Sequence, residues 1–147
     1  MYRNTIVHKT RDGRGYGLYA SKHFRKGERI GNYIGERLTM KECKRIYGAG
    51  RDTVAVYAIR VGSDTVIDDW QKTGPLAFAN DPVDLTEMRR LLKRGYSKYQ
   101  AYTRATDKES RNAKMVSYGG KATLYATKPI DIGDEILWSY GVGYWLP

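Results

Sequence analysis

The sequence predicts a mainly β protein, built of short sheets with a few short helices. Two observations predict it. Short runs rich in β-branched and aromatic residues recur between glycine-containing turns over residues 2–67. Helical signals are confined to two short capped stretches, with no alternation of strands and helices that would build βαβ units. At 147 residues the chain fits one domain large enough to bury a core.

Ile6-Val7-His8 reads as extended, Asp12-Gly13-Arg14-Gly15 as a turn, and residues 16–20 as the returning strand. Lys26-Gly27-Glu28 turns the chain into a strand over residues 29–34. Thr39-Met40-Lys41-Glu42 is a capping-box pattern, so a short helix is expected up to Tyr47, stopped by Gly48. Residues 53–59 and 64–67 are the next strands, turned by Gly62-Ser63. Asp84-Leu85-Thr86-Glu87 opens a second helix, in which Leu85, Met88, Leu91 and Leu92 recur at helical spacing and Gly95 ends the run. Its other positions carry Arg89, Arg90, Lys93 and Arg94, a basic face that is either solvated or a contact for a negatively charged partner. A tyrosine-rich stretch with Tyr96, Tyr99 and Tyr102 follows, then a polar loop over residues 103–110.

Hydrophobic residues make up 41% of the chain and are spread along it, which argues against global disorder. No apolar run approaches the roughly 20 residues that cross a bilayer, and residues 1–5 lack the apolar core of a signal peptide. The single cysteine, Cys43, excludes an internal disulfide and a cysteine-built zinc site, which fits an intracellular setting. Lys and Arg total 26 against 16 acids, a formal charge of +10. Such an excess attracts nucleic acid, chromatin or acidic proteins over about a Debye length, ~8 Å at physiological salt, without sequence specificity.

Two cassettes stand at opposite ends: Gly13-Arg14-Gly15-Tyr16-Gly17-Leu18-Tyr19-Ala20 and Gly133-Asp134-Glu135-Ile136-Leu137-Trp138-Ser139-Tyr140-Gly141. Between them lie Asn32-Tyr33-Ile34-Gly35-Glu36, Val66-Ile67-Asp68, Phe78-Ala79-Asn80-Asp81-Pro82 and Arg111-Asn112-Ala113. Read alone, the first cassette is also an ordinary strand-joining turn, and Asn80-Asp81-Pro82 is a turn composition. In order and spacing they resemble the SET domain, the fold of S-adenosylmethionine-dependent protein lysine methyltransferases, over about Val7 to Trp145. The resemblance implies a β-clip fold of short sheets with a C-terminal pseudoknot. It implies a single domain over residues 1–147, with residues 84–110 as a basic helical insertion, in the manner of a stand-alone viral or microbial enzyme.

Methyl transfer to an amine requires a bound methyl donor, a neutral lysine aligned about 3–3.5 Å from the methyl carbon, and exclusion of water. It requires no metal and no nucleophilic side chain. The resemblance assigns cofactor binding to Arg14, Gly15 and Tyr16, largely through backbone, and to Asn80 and Asp81. Asp81 stands where most members carry histidine. Tyr140 takes the place of the catalytic tyrosine and Tyr33 that of a second channel tyrosine. An unperturbed phenol titrates near pH 10, so positioning and electrostatic stabilisation suit Tyr140 better than general-base work at neutral pH. Tyr57 corresponds to a third channel aromatic. Trp138 holds a position where Phe or Tyr is usual and where the number of methyl groups is decided. Trp145 either stacks on the cofactor adenine or packs on the core. Asn112 belongs to the segment that joins Asn80-Asp81 in the pseudoknot, and Glu135 reads as structural.

The expected function is therefore protein-lysine N-methylation with S-adenosylmethionine, on a histone or similar basic tail. The expected location is the nucleus or chromatin, of the host if the source is viral. The basic surface adds an expected weak contact with nucleic acid or nucleosomes, no membrane partner is expected, and a homodimer stays open. Two other readings compete: a catalytically inactive SET-like module that binds peptide or chromatin, favoured by Asp81 and Trp138, and a basic nucleic-acid-binding β domain.

Overall fold

The computed structural model describes residues 4–13, 15–47 and 57–141. Within them the chain is mainly β, with three small antiparallel sheets and three short helices. Strands β1 (Thr5–Lys9) and β2 (Tyr16–Ala20) form a hairpin in register from Thr5 opposite Ala20 to Lys9 opposite Tyr16. Thr10 N–H donates to the Gly15 carbonyl at 2.7 Å across the turn. Gly13 and Gly15 take φ of +78° and +95°, a region side chains resist.

The strand expected over residues 29–34 is shorter than expected and ends at Asn32. Strand β3 (Arg29–Asn32) pairs with β8 (Lys121–Ala126), which also pairs with β7 (Ala113–Tyr118). Strand β4 (Glu36–Thr39) instead pairs with β6 (Thr65–Asp68), whose other edge carries β5 (Ala58–Arg60). Between them the chain leaves one sheet for another, and Gly35 permits it: a Cβ there would stand 2.5 Å from the Asp68 carbonyl oxygen. Tyr33 sits at this crossing. Of the strand expected over residues 53–59, residues 53–56 lie outside the described residues.

Helix α1 (Met40–Tyr47) begins as its capping box predicts. Glu42 N–H donates to Thr39 Oγ1 at 3.0 Å, and Thr39 N–H donates to Glu42 Oε1 at 3.1 Å. Helix α2 (Leu85–Lys93) starts from Asp84, whose side chain accepts from Glu87 N–H. The tyrosine-rich stretch and the first part of the expected loop are helical: α3 (Lys98–Ala105) opens on a full capping box of Ser97 and Gln100. Met88 and Leu91 of α2 pack with Ala101, Tyr102 and Ala105 of α3, a cluster separate from the main core. The helical pair is strapped at its base, where Asp84 N–H donates to Ala105 O and Asp107 N–H to Pro82 O, both at 2.9 Å.

The main core gathers Leu18, Phe24, Leu124, Ile130 and Ile136, all fully buried. Each contributes about 1.5–3 kcal/mol on leaving water. Ile136 draws the C-terminal segment inward, so residues 135–138 run between three partners. Ile136 N–H donates to Leu18 O at 2.7 Å, Leu137 bridges Asn80 in parallel, and the Asn112 and Ala113 N–H groups both donate to Leu137 O at 3.1 Å. The motif-bearing ends of the chain are thereby held together, in keeping with the SET-type fold that the sequence suggests. No helix among the described residues is long and apolar enough to cross a membrane.

Candidate active site

A cavity of about 630 Å³ opens where the hairpin turn, the crossing after β3, strand β5, residues 76–80 and the C-terminal segment meet. Gly15, Tyr16, Tyr33, Tyr57, Asn80, Trp138 and Tyr140 all line it, so seven of the ten residues singled out in the sequence converge on one space. Asp81 does not face that cavity. It lines a neighbouring one of about 780 Å³ with Asp12, Asp84 and Asp107, and Asn80 and Tyr140 border both. Arg14 and Trp145 lie outside the described residues.

Local structure fixes each side chain. Tyr33 is buried, and its backbone N–H donates to Ala122 O at 2.8 Å. Its hydroxyl donates to the Tyr57 carbonyl at 2.5 Å, tying the crossing to the start of β5. Tyr140 is half-buried and its hydroxyl donates to the Ala79 carbonyl at 2.5 Å. Trp138 Nε1–H donates to that same carbonyl at 3.2 Å, and its ring lies 4.9 Å from the Tyr140 ring, centroid to centroid. A 3-10 turn (Pro75–Phe78) presents the Ala79 carbonyl to both. Asn80 Nδ2–H donates to Tyr16 O at 2.9 Å and to Glu135 Oε2 at 3.2 Å, locking the hairpin to the C-terminal segment.

The aromatic wall continues with Tyr16 and Phe78, ring centroids 6.5 Å apart in an edge-to-face pair. Tyr16 is about half exposed. A Cβ on Gly15 would meet nothing within 4 Å, so the backbone there is open to close approach. Arg60 and Lys72 line the same cavity, with Lys72 Nζ 5.0 Å from the centre of the Tyr57 ring. Arg60 is anchored through Nε to Gly62 O at 3.0 Å and through Nη2 to Ser63 O at 2.8 Å.

Behind this wall, Asp81 is buried and accepts from two donors at one oxygen. Tyr140 N–H reaches Asp81 Oδ2 at 3.0 Å and the Tyr102 hydroxyl reaches it at 2.6 Å. Burial, and then the bond to Asp81, hold the Tyr102 phenol above its usual range. Asn112, also buried, donates through Nδ2 to Glu135 O at 2.8 Å and accepts at Oδ1 from Leu137 N–H at 2.9 Å.

Sequence reading missed Tyr102, Arg60, Lys72 and the Ala79 carbonyl. Only Tyr102 left a signal: Ser97 and Gln100 form a cap spacing that would have placed Tyr102 on a helix. Carbonyl positions carry no side-chain signature.

A family model described as the SET domain matches residues 15–141. The histone-lysine N-methyltransferase NSD3 of Mus musculus is 34% identical over 82 residues, 54% of this chain. The match spans 6% of that relative's own length.

Proposed function

Because the chain belongs to the SET-domain methyltransferase family, we propose that it is an S-adenosylmethionine-dependent protein-lysine N-methyltransferase. The observation that carries this is the convergence of Tyr33, Tyr57, Trp138 and Tyr140 with Gly15, Tyr16 and Asn80 on one cavity. We read residues 84–110 as a helical insertion in a single SET domain.

The residues present fit the cofactor. A cavity of about 630 Å³ lies within the range of roughly 300–1,000 Å³ that small-ligand sites occupy. Aromatic faces suit a sulfonium cation, and the backbone at Gly15 leaves room for close approach. Gly15, Tyr16 and Asn80 would hold the cofactor in this cavity, while Asp81, in the neighbouring one, supports the site from behind. S-adenosylmethionine supplies an electrophilic methyl group on a sulfonium, which departs as a neutral thioether once an amine nitrogen has taken the methyl.

The chain's own residues then act on the amine. The hydroxyl protons of Tyr33 and Tyr140 are donated to backbone carbonyls, so toward an incoming N–H either oxygen can act only as an acceptor. An amine held by its N–H bonds keeps its own lone pair free for attack. A lysine ammonium has a pKa near 10.4 in water, and loss of hydration on entering the cavity lowers it, so its proton leaves to solvent before transfer. Trp138 narrows the space beside the amine and limits how many methyl groups it accommodates.

A histone or similar basic tail is the proposed substrate, supported by the name of the murine relative, and the nucleus or chromatin is the proposed location. Arg89 and Lys93 on α2 and Arg94 at its C-cap stand exposed while the helix's apolar side is buried, which supports an added contact with nucleosomal DNA. Calorimetric titration with S-adenosylmethionine, followed by methylation of core histones read by mass spectrometry, tests the proposal. Cofactor binding and a mass gain of methyl units on lysine are expected. Absence of binding at millimolar cofactor would leave a peptide-binding module instead.

A further inference from the structure

We propose that Tyr102, carried on α3, is a positioning residue for Tyr140: its buried hydroxyl fixes Asp81 and the segment at residues 139–141, and through them the direction of the Tyr140 phenol. The inference rests on the methyltransferase reading for its effect on turnover, though not for its geometry.

Tyr102 is 5% exposed, and its hydroxyl meets residues on both sides of Tyr140. It lies 2.7 Å from Ser139 Oγ and accepts from Gly141 N–H at 3.4 Å. Its proton goes to Asp81 Oδ2 at 2.6 Å, and that oxygen also accepts from the Tyr140 N–H at 3.0 Å. The phenol's capacity is filled: one proton given to a carboxylate, two lone pairs taken by Ser139 and Gly141. The Ser139 side chain and the Gly141 backbone, on either side of the tyrosine, are thus tied to one oxygen atom. The Tyr140 hydroxyl is anchored separately on the Ala79 carbonyl, so the side chain is held at both ends.

The ring and the hydroxyl of Tyr102 do different jobs. The ring packs in the cluster of α2 and α3 with Met88, Leu91, Ala101 and Ala105. The hydroxyl alone leaves that cluster to reach the site. The two helices are therefore a buttress for the tyrosine, delivered through Asp81, and reacting geometry is sensitive to displacements of about 1 Å.

Tyr102→Phe in the full chain keeps the ring and removes the hydroxyl. Turnover should fall roughly 10- to 100-fold, as loss of a charge-assisted hydrogen bond implies. The peptide KM should stay within about twofold, since binding is not what the hydroxyl supports. Calorimetric cofactor affinity should be unchanged. Amide hydrogen exchange should accelerate about tenfold or more over residues 138–141, a local opening, and stay as in the unaltered protein over residues 122–126. Unaltered exchange at 138–141 would overturn the inference, as would acceleration that spreads equally to 122–126. If the unaltered protein transfers no methyl group, the enzymatic reading fails while the exchange comparison still decides the role of Tyr102. Should Tyr102→Phe not fold, Asp81→Asn carries the same exchange test, with faster exchange at 138–141 expected and unaltered exchange overturning the inference.

Discussion

Trp138 and Tyr140 share one acceptor: the indole N–H and the phenol both donate to the carbonyl of Ala79, at 3.2 and 2.5 Å. The two residues are two positions apart in the C-terminal segment, and their ring centroids lie 4.9 Å apart. One backbone oxygen, set in place by the 3-10 turn before it, therefore orients the residue proposed to hold the amine and the residue proposed to limit its size.

Trp138→Phe follows from that sharing. The smaller ring removes the indole donor but leaves Ala79 its bond from Tyr140, so the carbonyl is not orphaned. Stability should drop by about 1–2 kcal/mol, from lost packing against the core and one neutral hydrogen bond. The enlarged space should move the product distribution toward higher methylation states, with turnover within about tenfold. Mass spectra of a methylated peptide over time check both; an unaltered distribution would remove Trp138 from the role of size limiter.

Tyr140→Phe isolates the chemistry for the converse reason. Trp138 still donates to Ala79, so the melting temperature should shift little, within about 3 °C. Cofactor binding should persist within about threefold, while turnover falls roughly 100-fold or more, the scale of removing a fixed group that acts on the reacting centre. Calorimetry together with single-turnover methylation separates the two effects. Parallel losses of binding and turnover would make Tyr140 a binding residue only.

The strands and caps that depend on neighbouring residues were readable from the chain alone. The turn through Gly13 and Gly15, the Thr39–Glu42 box and the Asp84 cap each act over a few positions. The order of motifs also brought Tyr16, Tyr33, Asn80 and Tyr140 to one cavity. What stayed hidden needs tertiary contact. Residues 29–34 carry a continuous strand pattern, yet β3 ends at Asn32 as the chain moves to a second sheet past the close approach of Gly35 to the Asp68 backbone. The bond of Tyr102 to Asp81 spans 21 positions, so Asp81 looked like a bare substitution when it has a partner on the helical pair.

Asn112 tests how firmly the C-terminal segment is held. Its buried side chain pairs with both Glu135 O and Leu137 N–H, groups on the two sides of Ile136. Asn112→Ala removes both bonds and leaves buried backbone groups to find other partners. A loss of about 2–4 kcal/mol is expected, lowering the melting temperature by roughly 5–15 °C for a domain of this size. Calorimetric melting checks the figure, and hydrogen exchange should locate the loosening at residues 135–138. Uniform stability would place the segment's anchorage in its backbone bonds alone.

Tyr47 supplies a pH dependence of known sign. It closes α1, and its hydroxyl donates to the Asp68 carboxylate on β6. Burial, and then that bond, push its phenol up from 10.0 to about 12. The folded state thus favours the neutral phenol more than the unfolded chain does. Its contribution is fully present below pH about 10, declines as pH rises, and is gone once pH passes the folded value near 12. Other groups titrate in the same window, so the comparison is with Tyr47→Phe, which lacks the ionisation. The unaltered protein should melt higher than the variant at pH 9, the gap should narrow above pH 10, and the two curves should meet near pH 12. A gap that stays constant through that range would mean that the phenol does not titrate against Asp68 in the folded protein.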